Sequence, residues 1–130
     1  MKDPIYIMLV EDNPGYREAI EFTLADASAL QLDAVCGTAE AALQALQDRP
    51  KKPQIILLDI NLPGMSGIEA ITQIKALSHD TQIIMLTQSN NEADVVKSIQ
   101  TGATGYLLKS ASIEEITQDI RTVAEGGSSL

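Results

Sequence analysis

Five short apolar runs alternate with five stretches of helical spacing, and this alternation restricts the fold more than any other feature of the chain. The runs are Ile5–Val10, Leu32–Cys36, Gln54–Leu58, Gln82–Leu86 and Gly105–Leu108. Between and after them, apolar stripes recur: Ala19, Ile20, Thr23, Leu24 and Ala27; then Ala39, Ala42, Leu43 and Leu46; then Ile68, Ile71, Ile74 and Leu77. Val95, Val96 and Ile99 mark a fourth helix, from about Asn90 to Thr101, and Ile113, Ile116, Ile120 and Val123 a fifth. Such stripes describe helices that bury one face, and strand–helix alternation describes a parallel sheet covered on both sides. The expected fold is therefore α/β, a (βα)5 doubly wound parallel five-stranded sheet. Local chemistry agrees. Asn13 is a capping residue before a proline at the first helical position, Pro50 and Pro53 bracket the loop into the third strand, and Gly102 follows the fourth helix.

Size and charge narrow the function. A chain of 130 residues suits one domain, and 45% hydrophobic with 21% charged residues is a globular composition. No apolar run approaches the roughly 20 residues of a membrane helix. The start MKDPIYIMLVEDN has acids where a signal peptide needs small residues, which points to the cytoplasm. The single cysteine, Cys36, excludes an internal disulfide and reads as a small apolar residue. A net charge of −9 argues against a grip on nucleic acid by this domain. The densest basic cluster, Arg49 to Lys52, falls in a loop. The tail GGSSL reads as the start of a flexible linker.

Function concentrates in QIILLDINLPGMSG, Gln54 to Gly67. An unbroken apolar strand is buried on both faces, so the residue ending it, Asp59, emerges at the carboxyl edge of the sheet, where open α/β folds place ligands. Parallel strands bring their ends together. The first ends in Glu11 and Asp12, the fourth in Thr87 and the fifth in Lys109. Three carboxylates repel unless a cation joins them, and oxygen ligands without His or Cys favour Mg2+ over zinc. A carboxylate can attack phosphorus to form an aspartyl phosphate, with ammonium, metal and hydroxyl neutralising the phosphoryl oxygens.

These residues resemble the receiver domain of two-component response regulators, over essentially the whole chain. The resemblance implies a flavodoxin-like sheet of order 2-1-3-4-5, Asp59 as phosphoacceptor, and a Mg2+ site of Glu11, Asp12, Asp59 and the Asn61 backbone carbonyl. It further implies Thr87 as the switch hydroxyl, Lys109 as the phosphate-pairing lysine, and Tyr106 as the aromatic whose rotamer follows Thr87. The implied partners are a sensor histidine kinase or phosphotransfer protein and small phosphodonors, with homodimerisation on activation. The implied activity is phosphotransfer to self and autodephosphorylation, a signalling role and not that of an enzyme acting on substrates. GYLLKSAS, with Ser110 where many receivers have proline, is similar to the subfamily with a LuxR-type helix-turn-helix output. On that resemblance residues 1–125 form the receiver, residues 126–130 begin a linker, and DNA is contacted only through an output domain outside this chain. Gln88, after the switch threonine, departs from the family's usual small residue and is expected to modulate access.

Simpler roles exist for each residue taken singly. Asp12 or Asn13 can cap the first helix, and Thr87, Ser89 or Asn90 the fourth. Lys109 can be a solvated lysine and Tyr106 an ordinary strand aromatic. His79 reads as solvated; Tyr6 and Tyr16 as structural or surface residues; Met8, Met65 and Met85 as packing. A dehalogenase-type phosphatase would carry its nucleophile after the first strand and needs a cap domain. A flavodoxin would not place carboxylates where phosphate sits. A phosphorylation-independent interaction module is the remaining alternative.

Overall fold

The computed structural model describes residues 4–88 and 91–127. Five strands, β1 (Ile5–Val10), β2 (Leu30–Cys36), β3 (Ile55–Asp59), β4 (Gln82–Thr87) and β5 (Gly105–Leu108), alternate with five helices. The helices are α1 (Pro14–Ala25), α2 (Ala39–Asp48), α3 (Gly67–Leu77), α4 (Glu92–Thr101) and α5 (Ile113–Ala124). All strand pairs are parallel, in the order β2-β1-β3-β4-β5. The fold is the flavodoxin-like arrangement expected.

Period-two alternation sorts the side chains of each strand between two cores. Met8, Val10, Ile56, Leu58, Ile83 and Met85 pack under α2 and α3 with Ala42, Leu46, Ile71 and Ile74. Ile7, Leu9, Ile55, Leu57, Ile84, Leu86 and Leu107 pack on the other face under α1 and α5 with Ile20, Leu24, Ile116 and Ile120. Every residue of β3 is buried, the mark of a central strand covered on both faces.

β3 and β4 end one residue later than their apolar runs, at Asp59 and Thr87, and two element starts differ from expectation by two residues. β2 begins at Leu30, two residues early, because Leu30 and Gln31 pair with Ile5 and Tyr6. As an edge strand it alternates between half-buried and exposed residues, which hides its start from a search for apolar runs. Its register shifts opposite Ile7 and Met8, where Asp33 is the extra residue and ion-pairs with Arg49. Helix α4 begins at Glu92, and its cap is Asn91, whose side chain accepts from the Ala93 and Asp94 N–H groups; Ser89 and Asn90 lie outside the described residues. Its stripe is only partly covered: Ser98 is its one buried residue, while Val96 and Ile99 stay exposed.

The helix ends follow their caps. Asn13 caps α1 with Pro14 behind it, and Ser66 and Ser112 form capping boxes with Glu69 and Glu115. α5 closes with Gly126 at φ 94°, its N–H bonded to Val123 O, and with the Gly127 N–H bonded to Thr122 O. This is a Schellman end. The first two residues of the expected linker thus complete the fifth helix.

Candidate functional site

The carboxyl edge of the sheet delivers the site. β1 ends at Val10, and Glu11 remains attached to the sheet because its N–H donates to Cys36 O at 2.9 Å. Its side chain is fully buried. Lys109 Nζ lies 2.6 Å from one Glu11 carboxylate oxygen, and the Asn13 N–H donates to the other at 2.9 Å. Arg17 Nε donates to the Glu11 carbonyl at 2.6 Å. Asp12, next in sequence, is exposed.

Asp59 ends β3 and is 2% exposed. Its Oδ1 accepts the Asn61 N–H at 3.1 Å, and its Oδ2 accepts Lys109 Nζ at 3.1 Å. The chain must turn sharply afterwards. Gly64 takes φ 75°, and the Met65 N–H donates to Glu40 Oε2 at 3.2 Å, tying the turn to α2. Helix α3 then starts against the Asp59 carbonyl so closely that a side chain at Gly67 would collide with it. That close approach explains the glycine.

Lys109 follows β5, its N–H bonded to Thr87 O at 2.7 Å. Its side chain is only 12% exposed, so it is no solvated surface lysine. It bridges Glu11 and Asp59, bringing together strand ends 50 residues apart for the Asp59 contact.

Glu11, Asp12 and Asp59 each offer an oxygen within 4.8 Å of the others. The Lys109 ammonium bonds two of these three carboxylates, Glu11 and Asp59, and the imbalance of charge shows in the titration. Burial pushes the Asp59 carboxyl up to about 6, and the Glu11 charge adds to the rise against the lowering contacts from Lys109 and Asn61. Burial works to lower the Lys109 pKa, but its bonds to Glu11 and Asp59 prevail and raise it. A half-buried, all-oxygen cluster with surplus negative charge suits a hard divalent cation. The cleft above it encloses about 350 Å3 and is lined by Glu11, Asp12, Asn13, Pro14, Asp59, Asn61, Gln88 and Lys109.

Thr87 and Tyr106 stand apart from this lining. Thr87 ends β4, 3% exposed, and the Tyr106 phenol on β5 lies against its hydroxyl, with the phenol oxygen itself buried. Burial raises the Tyr106 pKa, and the Thr87 contact opposes that. The tyrosine therefore already faces inward. On its other side it borders a groove between α4 and α5 with Val95, Leu108, Glu115 and Asp119.

Tyr16, which in the sequence reads as a structural or surface residue, lies beside the site. It sits in the first turn of α1, and its ring centroid is 5.1 Å from Lys109 Nζ. Burial lifts its phenol to about 12, with Glu11 and then Asp59 adding to the rise. Its place one turn past the Glu11–Asp12 pair was the available signal. His79 is solvated as expected, and Met8 and Met85 are core.

Residues 7–121 match the response regulator receiver domain family, and the chain belongs to it. It is 30% identical over 125 residues to the nitrate/nitrite response regulator protein NarL of Escherichia coli K12, covering 96% of this chain and 57% of that protein. It is 33% identical to the nitrate/nitrite response regulator homolog of Haemophilus influenzae, covering 97% of this chain and 60% of the relative. The chain thus spans little more than half the length of these relatives. A two-component response regulator of the LuxR family from Aurantimonas superposes with a TM-score of 0.90 at 28% identity, covering 98% of this chain and 90% of that one. This is the receiver domain of a two-component response regulator with NarL- and LuxR-type relatives. No helix among the described residues is long and apolar enough to cross a membrane.

Proposed function

We propose that this receiver accepts a phosphoryl group on Asp59 from a histidine kinase or a phosphotransfer protein, or from a small phosphodonor. The observation that carries the reading is the buried Asp59, clustered with Glu11 and Asp12 and bonded, like Glu11, to the Lys109 ammonium. An Asp59 carboxylate oxygen forms the bond to phosphorus as the bond from phosphorus to the donor breaks, and the donor leaves with the electron pair. Lys109, already on Asp59 Oδ2, pairs with the incoming phosphoryl oxygens. Mg2+, held by Asp12, Asp59, Glu11 and the Asn61 carbonyl, would supply the remaining charge neutralisation. Gln88 at the rim modulates access.

The phosphoryl group brings about two negative charges to the strand edge. Thr87 turns its hydroxyl toward them, and Tyr106, which rests against that hydroxyl, follows the change and carries it to α4 and α5. Helix α4, with its one buried residue, is the element least held by the core. In a longer protein, a DNA-binding module following the receiver would read this face, as the LuxR-type relatives suggest.

Incubation with acetyl phosphate, with and without Mg2+, followed by intact mass, tests the assignment. The expected result is a Mg2+-dependent gain of one phosphoryl group that Asp59→Asn abolishes. No gain under either condition would leave a phosphorylation-independent interaction module, and labelling that persists in Asp59→Asn would place the acceptor elsewhere.

A further inference from the structure

Lys109 has three N–H donors on its ammonium. Two are spent on Glu11 and Asp59, at 2.6 and 3.1 Å. The Tyr16 ring lies on the same ammonium, 5.1 Å away at its centroid. Tyr16 is fixed to the site from below. Its N–H is bonded to the Asn13 cap at 2.9 Å, and its ring packs against the core under α1 and α5. Its buried phenol oxygen has no hydrogen-bond partner among the described residues. The ring's position is therefore set by packing and by the cation it faces, and no hydrogen bond of the hydroxyl holds it there.

We propose that Tyr16 is a positioning residue for Lys109: its aromatic face holds the ammonium, shields it from water, and keeps it directed at Asp59. This rests on the reading of Asp59 as phosphoacceptor. A charge held over a ring at this distance is attracted by the ring quadrupole, and the attraction grows as water is excluded. The same ammonium must then meet the phosphoryl oxygens. Losing the ring frees the lysine to solvent and weakens that contact. The ring is what matters here, and the hydroxyl is dispensable.

Tyr16→Leu removes the ring and keeps an apolar cover; Tyr16→Phe keeps the ring and removes the hydroxyl. Amide spectra of both variants serve as the control that they are folded. The first readout is the Lys109 Hε resonance in 13C-labelled protein, which needs no phosphodonor. It is expected upfield of the other lysines in the parent and in Tyr16→Phe, and to return to the ordinary position in Tyr16→Leu. The second is the rate of uptake from acetyl phosphate, expected to fall about two- to fivefold in Tyr16→Leu and to be restored in Tyr16→Phe. An Hε shift unchanged by Tyr16→Leu would overturn the contact. An altered shift with an unaltered rate, or a loss of rate in Tyr16→Phe equal to that in Tyr16→Leu, would overturn the positioning role. A parent domain that takes up no phosphoryl group fails at Asp59, and the ring contact is then judged by the Hε shift alone.

Discussion

The two ends of the same sheet treat buried polarity in opposite ways. At the amino edge, where β3 and β4 begin, Thr81 is 1% exposed and its hydroxyl donates to Pro53 O at 2.7 Å. The Ser78 hydroxyl bonds to that of Thr81, and Lys75 Nζ donates to Thr81 O at 2.8 Å. Lys52, from the basic loop, donates to the carbonyls of Leu46 and Arg49 at the end of α2. Donors and acceptors balance there, and the groups serve the fold. At the carboxyl edge three carboxylates cluster, one ammonium bonds only two of them, and the Asp59 carboxyl is driven up to about 6. Strongly shifted groups of this kind cluster at functional sites. One edge is balanced by its own residues, and the other carries an excess of negative charge.

Removing one partner at each edge should separate the two kinds of polarity. Lys109→Ala leaves Glu11 and Asp59 buried without their cation and should cost about 3 kcal/mol in the absence of metal. Mg2+ should restore much of that loss, because the bared carboxylates bind it more tightly. Thr81→Val at the other edge should cost about 2 kcal/mol by stranding Pro53 O and the Ser78 hydroxyl, and Mg2+ should do nothing for it. Urea melts with and without Mg2+ read both. Equal Mg2+ responses in the two variants would erase the contrast.

Titration gives a smaller effect with a definite sign. The Asp59 carboxyl moves from 3.8 to about 6 on folding. A raised carboxyl favours the fold fully below its unfolded value and loses that contribution as pH rises through about 6. Asp59→Asn should therefore stabilise the metal-free domain by about 1 kcal/mol at pH 7.5, after allowance for the lost Lys109 pair. The gain should vanish near pH 4 and shrink when Mg2+ is added to both proteins. Thermal melts across that range decide it, and a variant less stable than the parent at pH 7.5 would mean that the Lys109 bond outweighs burial. Smallest of all, Gln88→Ala should change phosphoryl uptake by about two- to threefold, since Gln88 lines the cleft from an exposed position. Identical rates would remove it from the site.

Legibility in the sequence followed the range of the interactions. The five helices and the central strands were readable because their apolar spacing is a local record of burial, clearest in IILL before Asp59. The caps at Asn13 and Gly102 were readable because cap chemistry is also local: a side-chain acceptor before a proline, and a glycine after the last turn. The start of β2 was not, because an edge strand buries one face and carries polar residues on the other. The role of Gly126 and Gly127 was hidden too. Gly-Gly-Ser-Ser composition suits a linker, and only the bonds to Val123 and Thr122 show a helix end. Of the candidate site, Glu11, Asp12, Asp59 and Lys109 were legible as strand-end residues, and the structure gathers them. Tyr16 was not, since one tyrosine in a first helical turn has no pattern of its own.

By itself, then, the sequence determined the alternating elements, the acids at the strand ends and the resemblance that supplied the strand order. Only the tertiary structure decided that Lys109 reaches both Glu11 and Asp59, that Asp59 loses its water, and that Tyr16 closes over the ammonium. The reason is physical. Periodicity records which face of an element is buried, but ion pairing, desolvation and ring contacts depend on which side chains from distant segments share a few ångströms of space.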